Sequence, residues 1–223
     1  MKKEIATLFL GLTLGVASLN AAAFDLPKVP SAGGGGSSES GDVDAKVKAF
    51  TDRSVVTNKL VGLSLLSIER AYATDEERAG LTEKMKALNS ATDPKEINAQ
   101  VTEIQKTDGA KVEELAKAKD AEEKTKKLDA KKQKEVAVGV SNFILAGLQA
   151  VKLTQDGQAI VSSVGSNPMN ITKVIPVKDA LPILADAAST STKVMSGFTK
   201  VLKGANVQVA PVTAESKPAE VKF

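Results

Sequence analysis

Val43, Val47, Phe50, Val61, Leu65, Ile68 and Tyr72 recur at three- and four-residue steps. That spacing predicts a helix from about Asp42 to Tyr72 with one continuous apolar face. Between Val55 and Ile68 the other faces are apolar as well, through Val56, Leu60, Leu63 and Leu66. A helix that is apolar all round is expected to be buried on several sides. Thr74-Asp75-Glu76-Glu77 then reads as a capping box that opens a second helix with a Leu81, Met85, Leu88 stripe, ended by Asn89-Ser90. Asp93-Pro94-Lys95-Glu96 has the same form with Pro at the first helical position, and Ile97, Val101 and Ile104 line the face that follows. Thr107-Asp108-Gly109 can be read as a turn or as part of one helix. No Pro interrupts it, which favours continuity.

From Ala110 to Glu135 the chain is dominated by Ala, Lys and Glu. Glu113 stands four residues before Lys117, Asp120 before Lys124, Glu122 before Lys126 and Glu123 before Lys127. Each acid-first pair supports a helix by about 0.2–0.5 kcal/mol. Val136 to Val151 follows without a charge. The two stretches together predict one rod from Ala110 to Lys152, about 65 Å long at ~1.5 Å per residue. Its Lys/Glu half is expected to project as an arm, with few residues beyond Val112, Leu115 and Leu128 to bury. Gln155-Asp156-Gly157 is expected to end the rod, and 158–178, punctuated by Asn167-Pro168 and Pro176, to be irregular. Asp179 reads as the cap of a last helix. There Leu181, Leu184, Ala188, Ser191, Met195, Phe198 and Leu202 form a packing seam, and Gly204 is a stop.

The ends are different in kind. Met1-Lys2-Lys3-Glu4, the uncharged run from Ile5 to Leu19 and Ala21-Ala22-Ala23 have the order of a cleaved export signal. Residues 24–42 carry two prolines and a Gly/Ser-rich run, the composition of a flexible linker. Residues 205–223 read as a flexible tail. The sequence therefore predicts an all-α helical bundle over 43–204, placed in the periplasm or outside the cell.

Composition then removes chemistries. The chain of 223 residues has no His, no Cys and no Trp. Ser-His-Asp and Cys-His catalysis cannot be assembled, and no Ser-x-x-Lys spacing occurs. Zinc, haem and iron–sulfur sites lose their usual ligands. No enzyme, cofactor or metal role is expected. The formal net charge of +3 and the single Tyr with six Phe do not predict a nucleic-acid partner.

Two segments remain as candidate contact surfaces. Lys124, Lys126, Lys127, Lys131, Lys132 and Lys134 concentrate charge within eleven residues, ordinarily a solvated face but also suited to an anionic membrane surface. The adjoining apolar segment, with Val136, Val140, Phe143, Ile144 and Leu148, fits a core helix or conditional lipid contact. It is short of a membrane span, and Ser141, Asn142 and Gln149 interrupt it. The expectation is a non-enzymatic protein that binds another protein or itself through a helix face, with a lipid-binding or membrane-inserting protein as the alternative.

Overall fold

A computed structural model describes residues 39–164 and 171–221. The expected signal at 1–23, most of the linker, Asn167-Pro168 and the last two residues lie outside them. Six α-helices follow in order: α1 Glu39–Tyr72, α2 Asp75–Ser90, α3 Pro94–Lys117, α4 Ala121–Lys127, α5 Ala130–Val164 and α6 Ile175–Gly204. A 3₁₀ turn, Thr172–Val174, leads into α6. The fold is all-α, and no strand occurs among the described residues.

α1 is the helix on which the others pack. It meets α5, α3, α2 and α6, which is why its sequence is apolar on every side. Leu60 to Ile68 is buried without interruption. The hydroxyls of Ser54 and Ser64 in this helix donate to the carbonyls of Phe50 and Leu60 one turn back, at 2.8 and 2.6 Å, so burial leaves them satisfied. α5 approaches α1 closely at Gly139. A Cβ there would stand 2.8 Å from Ile68 and 3.3 Å from both Ser64 O and Ile68 N.

The first capping box is formed, whereas at the second only the N-cap is made, without the return bond from Glu96. Thr74 and Glu77 form a reciprocal capping box, and Asp93 caps α3 by accepting from Lys95 N at 2.9 Å. α3 runs through Thr107-Asp108-Gly109 unbroken.

The single rod does not form. The chain leaves helical geometry at Ala118–Asp120 and again at Leu128–Asp129. All four acid-first pairs are nonetheless made: Glu113–Lys117, Asp120–Lys124, Glu122–Lys126 and Glu123–Lys127. Their small contributions lose to burial, worth about 0.8 kcal/mol per methylene. Ala116, Ala121 and Thr125 are buried, with Leu115 and Leu128 packed at the edge of the core. α4 is thereby laid against α6, and Tyr72 Oη sits 2.7 Å from Thr125 Oγ1. The Lys/Glu segment is a strap across the helices, not a projecting arm.

Three other boundaries are corrected. α1 begins at Glu39, so the end of the expected linker is helical. α5 passes through Gln155-Asp156-Gly157 and continues to Val164. Gly157 is buried against Phe50 and Leu181, and Asp156 pairs with Arg53 at 3.1 Å, so this glycine serves a helix crossing and not a stop. α6 begins at Ile175 with Pro176 in its first turn, four residues before Asp179, and Pro182 lies inside the helix. Most of the expected α6 seam is inward: Leu184, Ser191, Phe198 and Leu202 are buried. Met195 points out.

Residues 205–221 are seated on α5 instead of extending away as a free tail. Asn206, at φ 58, is the one non-glycine residue with positive φ among those described. Val207 N donates to Leu202 O at 2.8 Å, and Val207, Val209, Val212 and Val221 pack against the core.

Candidate interaction surface

α5 presents three different sides. One packs on α1 and another on α6, where a Cβ on Gly147 would fall onto the Ser191 side chain. The third is polar and holds the C-terminal segment. Ser141 Oγ donates to Ala210 O at 3.3 Å, and Gln149 Nε2 donates to Ala214 O at 3.3 Å. The chain then turns back, with Ser216 N on Thr213 O at 3.0 Å. On the return Asn142 bonds both backbone polar groups of Ala219: its Nδ2 donates to Ala219 O and its Oδ1 accepts from Ala219 N, both at 2.8 Å. The three polar residues that interrupt the apolar segment in sequence are therefore the anchors of a backbone seat.

Between α6 and the C-terminal segment a strip of α5 stays open. Leu148 is 41% exposed and Val151 47%. Ile144 is half-buried beside them. Ile144 and Val140 line a groove with Thr199 and Leu202 of α6 and Val207 and Val209 of the tail. Met195, 39% exposed, stands one turn from Ser191 and one turn from Thr199 on the flank of this groove. Of the apolar candidates, Val136, Val140 and Phe143 are core residues, while Ile144 and Leu148 face the strip. Val151 belongs with them. α5 is long and apolar enough to cross a membrane, and 61% of its most apolar stretch is buried within the molecule.

The lysine candidates are divided. Lys124, Lys126 and Lys127 on α4 are exposed and occupied by their own acids one turn back. Lys131, Lys132 and Lys134 lie in the first turns of α5 and have no ion pair among the described residues. Asp129 caps that helix through Lys132 N at 2.9 Å. The segment does not gather the six ammonium groups into one patch against a common ligand.

Two charge clusters had no sequence signature. Glu69 of α1 and Asp108 of α3 share a hydrogen bond. Lys111 donates to Glu69 Oε1 at 2.8 Å, and Lys84 of α2 donates to both Asp108 oxygens at 3.0 and 3.2 Å. Burial raises the Glu69 carboxyl, aided by Asp108 and opposed by Lys111. Burial also pushes Asp108 up, but the bonds from Lys84, Glu69 and Thr107 outweigh it and hold that group low. The second cluster is Glu135 of α5, which accepts from Arg70 Nε and, at 3.3 Å, from Arg78 Nη2. Both clusters join helices, and Arg78 of the second also lines a shallow surface hollow with Asp75, Gly80 and Thr82. Among the described residues no group of three or more carboxylates is placed to hold a metal ion.

Comparison with protein-family models, curated proteins and solved structures gives no match to this chain.

Proposed function

We propose that this chain is an exported, non-enzymatic helical-bundle protein of the periplasm or cell surface that acts by binding another protein or itself. The observation that carries the reading is the open apolar strip of Ile144, Leu148 and Val151 on α5, flanked by Met195. Large apolar side chains grouped along a groove in a folded domain mark contact surfaces more often than isolated ones do. The export signal and the absence of His and Cys support the location and the lack of catalysis. The Lys/Glu segment is not the recognition element in this reading, because its α4 lysines are engaged by neighbouring acids and its backbone is packed on α6.

The test is a double substitution, Leu148→Glu with Val151→Glu, in the chain from residue 24 onward. Both sites are exposed, so the helical content and melting temperature should hold. Self-association by sedimentation, or photo-cross-linking from position 195 in exporting cells, should be lost. Unchanged association and cross-linking in the double variant would refute the reading.

Lipid contact is the second reading. It rests on Lys131, Lys132 and Lys134, which form no ion pair among the described residues, at the start of the one described helix long and apolar enough to cross a membrane. Flotation with anionic and neutral vesicles at two salt concentrations separates it. Salt-sensitive flotation on anionic vesicles alone favours lipid, since polybasic attraction is screened within a Debye length.

A further inference from the structure

We infer that the backbone seat on α5 is an exchange site, and that a second copy of this chain can fill it with its own residues 207–221. The inference rests on the self-binding form of the reading above and specifies where two copies join.

The seat is built to read backbone, not side chains. Asn142 is buried and pairs with both backbone polar groups of Ala219. Gln149 is held ready by Thr57 of α1, whose hydroxyl donates to its Oε1 at 3.5 Å, and it offers Nε2 to Ala214 O. An identical segment from another molecule reproduces every one of these contacts. Exchange of a terminal element between identical chains is a low-cost route to a dimer for that reason.

The attachment in cis is also one that can open. The segment joins α6 through Asn206, whose left-handed φ of 58 is a sparsely used conformation for a non-glycine residue. The seated valines are only partly buried, and the outer ion pair, Lys152 with Glu215, is loose at 3.8 Å. The segment can leave without opening the α1–α5–α6 core.

Reciprocal exchange has a further effect. The seat and the open strip are neighbouring sides of the same helix: Leu148 adjoins Gln149. Two chains that trade segments bring their α5 helices together, and the exposed Leu148 and Val151 then face a second copy of themselves. An isologous contact of this kind covers apolar surface that the single chain leaves in water.

The absence of native cysteine makes the test direct. One full-length chain carries Lys152→Cys, another carries Glu215→Cys, and the two are refolded together, concentrated and oxidised. Exchange predicts a disulfide-linked heterodimer that grows with protein concentration towards the statistical half of all dimers. An excess of synthetic peptide spanning 207–221 should suppress it, and Asn142→Ala should reduce it several-fold. A Glu76→Cys partner in place of Glu215→Cys, remote from the seat, should give none. A chain with both Lys152→Cys and Glu215→Cys should close an internal disulfide when dilute. If that internal bond forms but no mixed dimer appears at any concentration, the segment stays in cis and the inference fails. If the mixed pair links no better than the Glu76→Cys control, the dimers are collisional and the inference also fails. Loss of the mixed dimer with retained sensitivity of self-association to Leu148→Glu would reject exchange alone and leave the proposed function standing.

Discussion

Glu69 and Asp108 share a hydrogen bond between α1 and α3, with Lys111 on the outer side of one and Lys84 on the outer side of the other. Their opposite shifts give stability two pH edges. Glu69 is raised in the folded chain, so its contribution is complete below its unfolded value and is lost as pH rises through the folded one. Asp108 is lowered, so its contribution is present above its unfolded value and is lost as pH falls through the folded one. Glu69→Gln keeps a donor towards Asp108 without a titrating proton. The upper edge attributable to this site should vanish in that variant, with the lower edge retained. Thermal melts across the pH range check it. Asp108→Asn should instead destabilise at all pH values above the lower edge, by about 2 kcal/mol, the scale of a hydrogen bond to a charged group.

Glu135 is shared by Arg70 and Arg78, and its side chain is 10% exposed. Removing the acid takes a buried carboxylate away from both guanidinium groups. Glu135→Ala is expected to destabilise by about 3 kcal/mol, as for other buried pairs broken from one side. Chemical denaturation gives the value. Replacing Glu135 by Gln should recover part of the loss through the retained acceptor.

Two glycine substitutions should act in opposite directions. Gly139→Ala places a methyl group against the backbone of Ser64 and Ile68, where nothing yields easily. Overpacking of this kind costs about 1–3 kcal/mol. Gly80→Ala on α2 meets nothing within 4 Å. It should stabilise by about 0.8–1 kcal/mol, the difference in helix propensity. Equilibrium unfolding of the two single variants tests both signs at once.

Neutralising Lys126, Lys127, Lys131 and Lys132 to Gln should leave the fold and its melting temperature nearly unchanged, because the ion pairs among these residues are exposed and exposed pairs contribute little. The protein-binding reading expects unaltered self-association in this variant. A steep fall in vesicle flotation would support the lipid reading.

The helices and their caps were legible wherever a local rule agreed with burial. Thr74 closes its capping box with Glu77, Asp93 stands at the N-cap of α3 although its box with Glu96 does not close, and α1 is apolar all round because it is surrounded. Errors arose where a local signal had a tertiary use. Gly157 looks like a stop but serves a crossing with Phe50, and Ala121 and Thr125 sit in a helix-forming Lys/Glu run yet are drawn into the core. The surface was less legible. Asn142 and Gln149 read as interruptions of an apolar run, though their seven-residue spacing puts both on one side of the helix. Val207 and Val209 alternate with polar or small residues in the manner of an extended segment with one side packed. Those two patterns taken together point to the docked tail. The Glu69–Asp108 pair has no such trace, because it depends on the rotation of α1 against α3.

The central place of α1 also sets a timetable. It is made first, yet Thr57 waits for Gln149, 92 positions later, and Arg53 for Asp156, 103 positions later. At a synthesis rate of ~5–20 residues per second the interval is on the order of five to twenty seconds. α2 and α3 arrive in time to shelter one side of α1. The side meant for α5 and α6 stays open until the chain is almost finished. Assembly should thus be late and all at once, and a nascent chain stalled before Gly139 should be a client for whatever holds unfolded apolar helices apart.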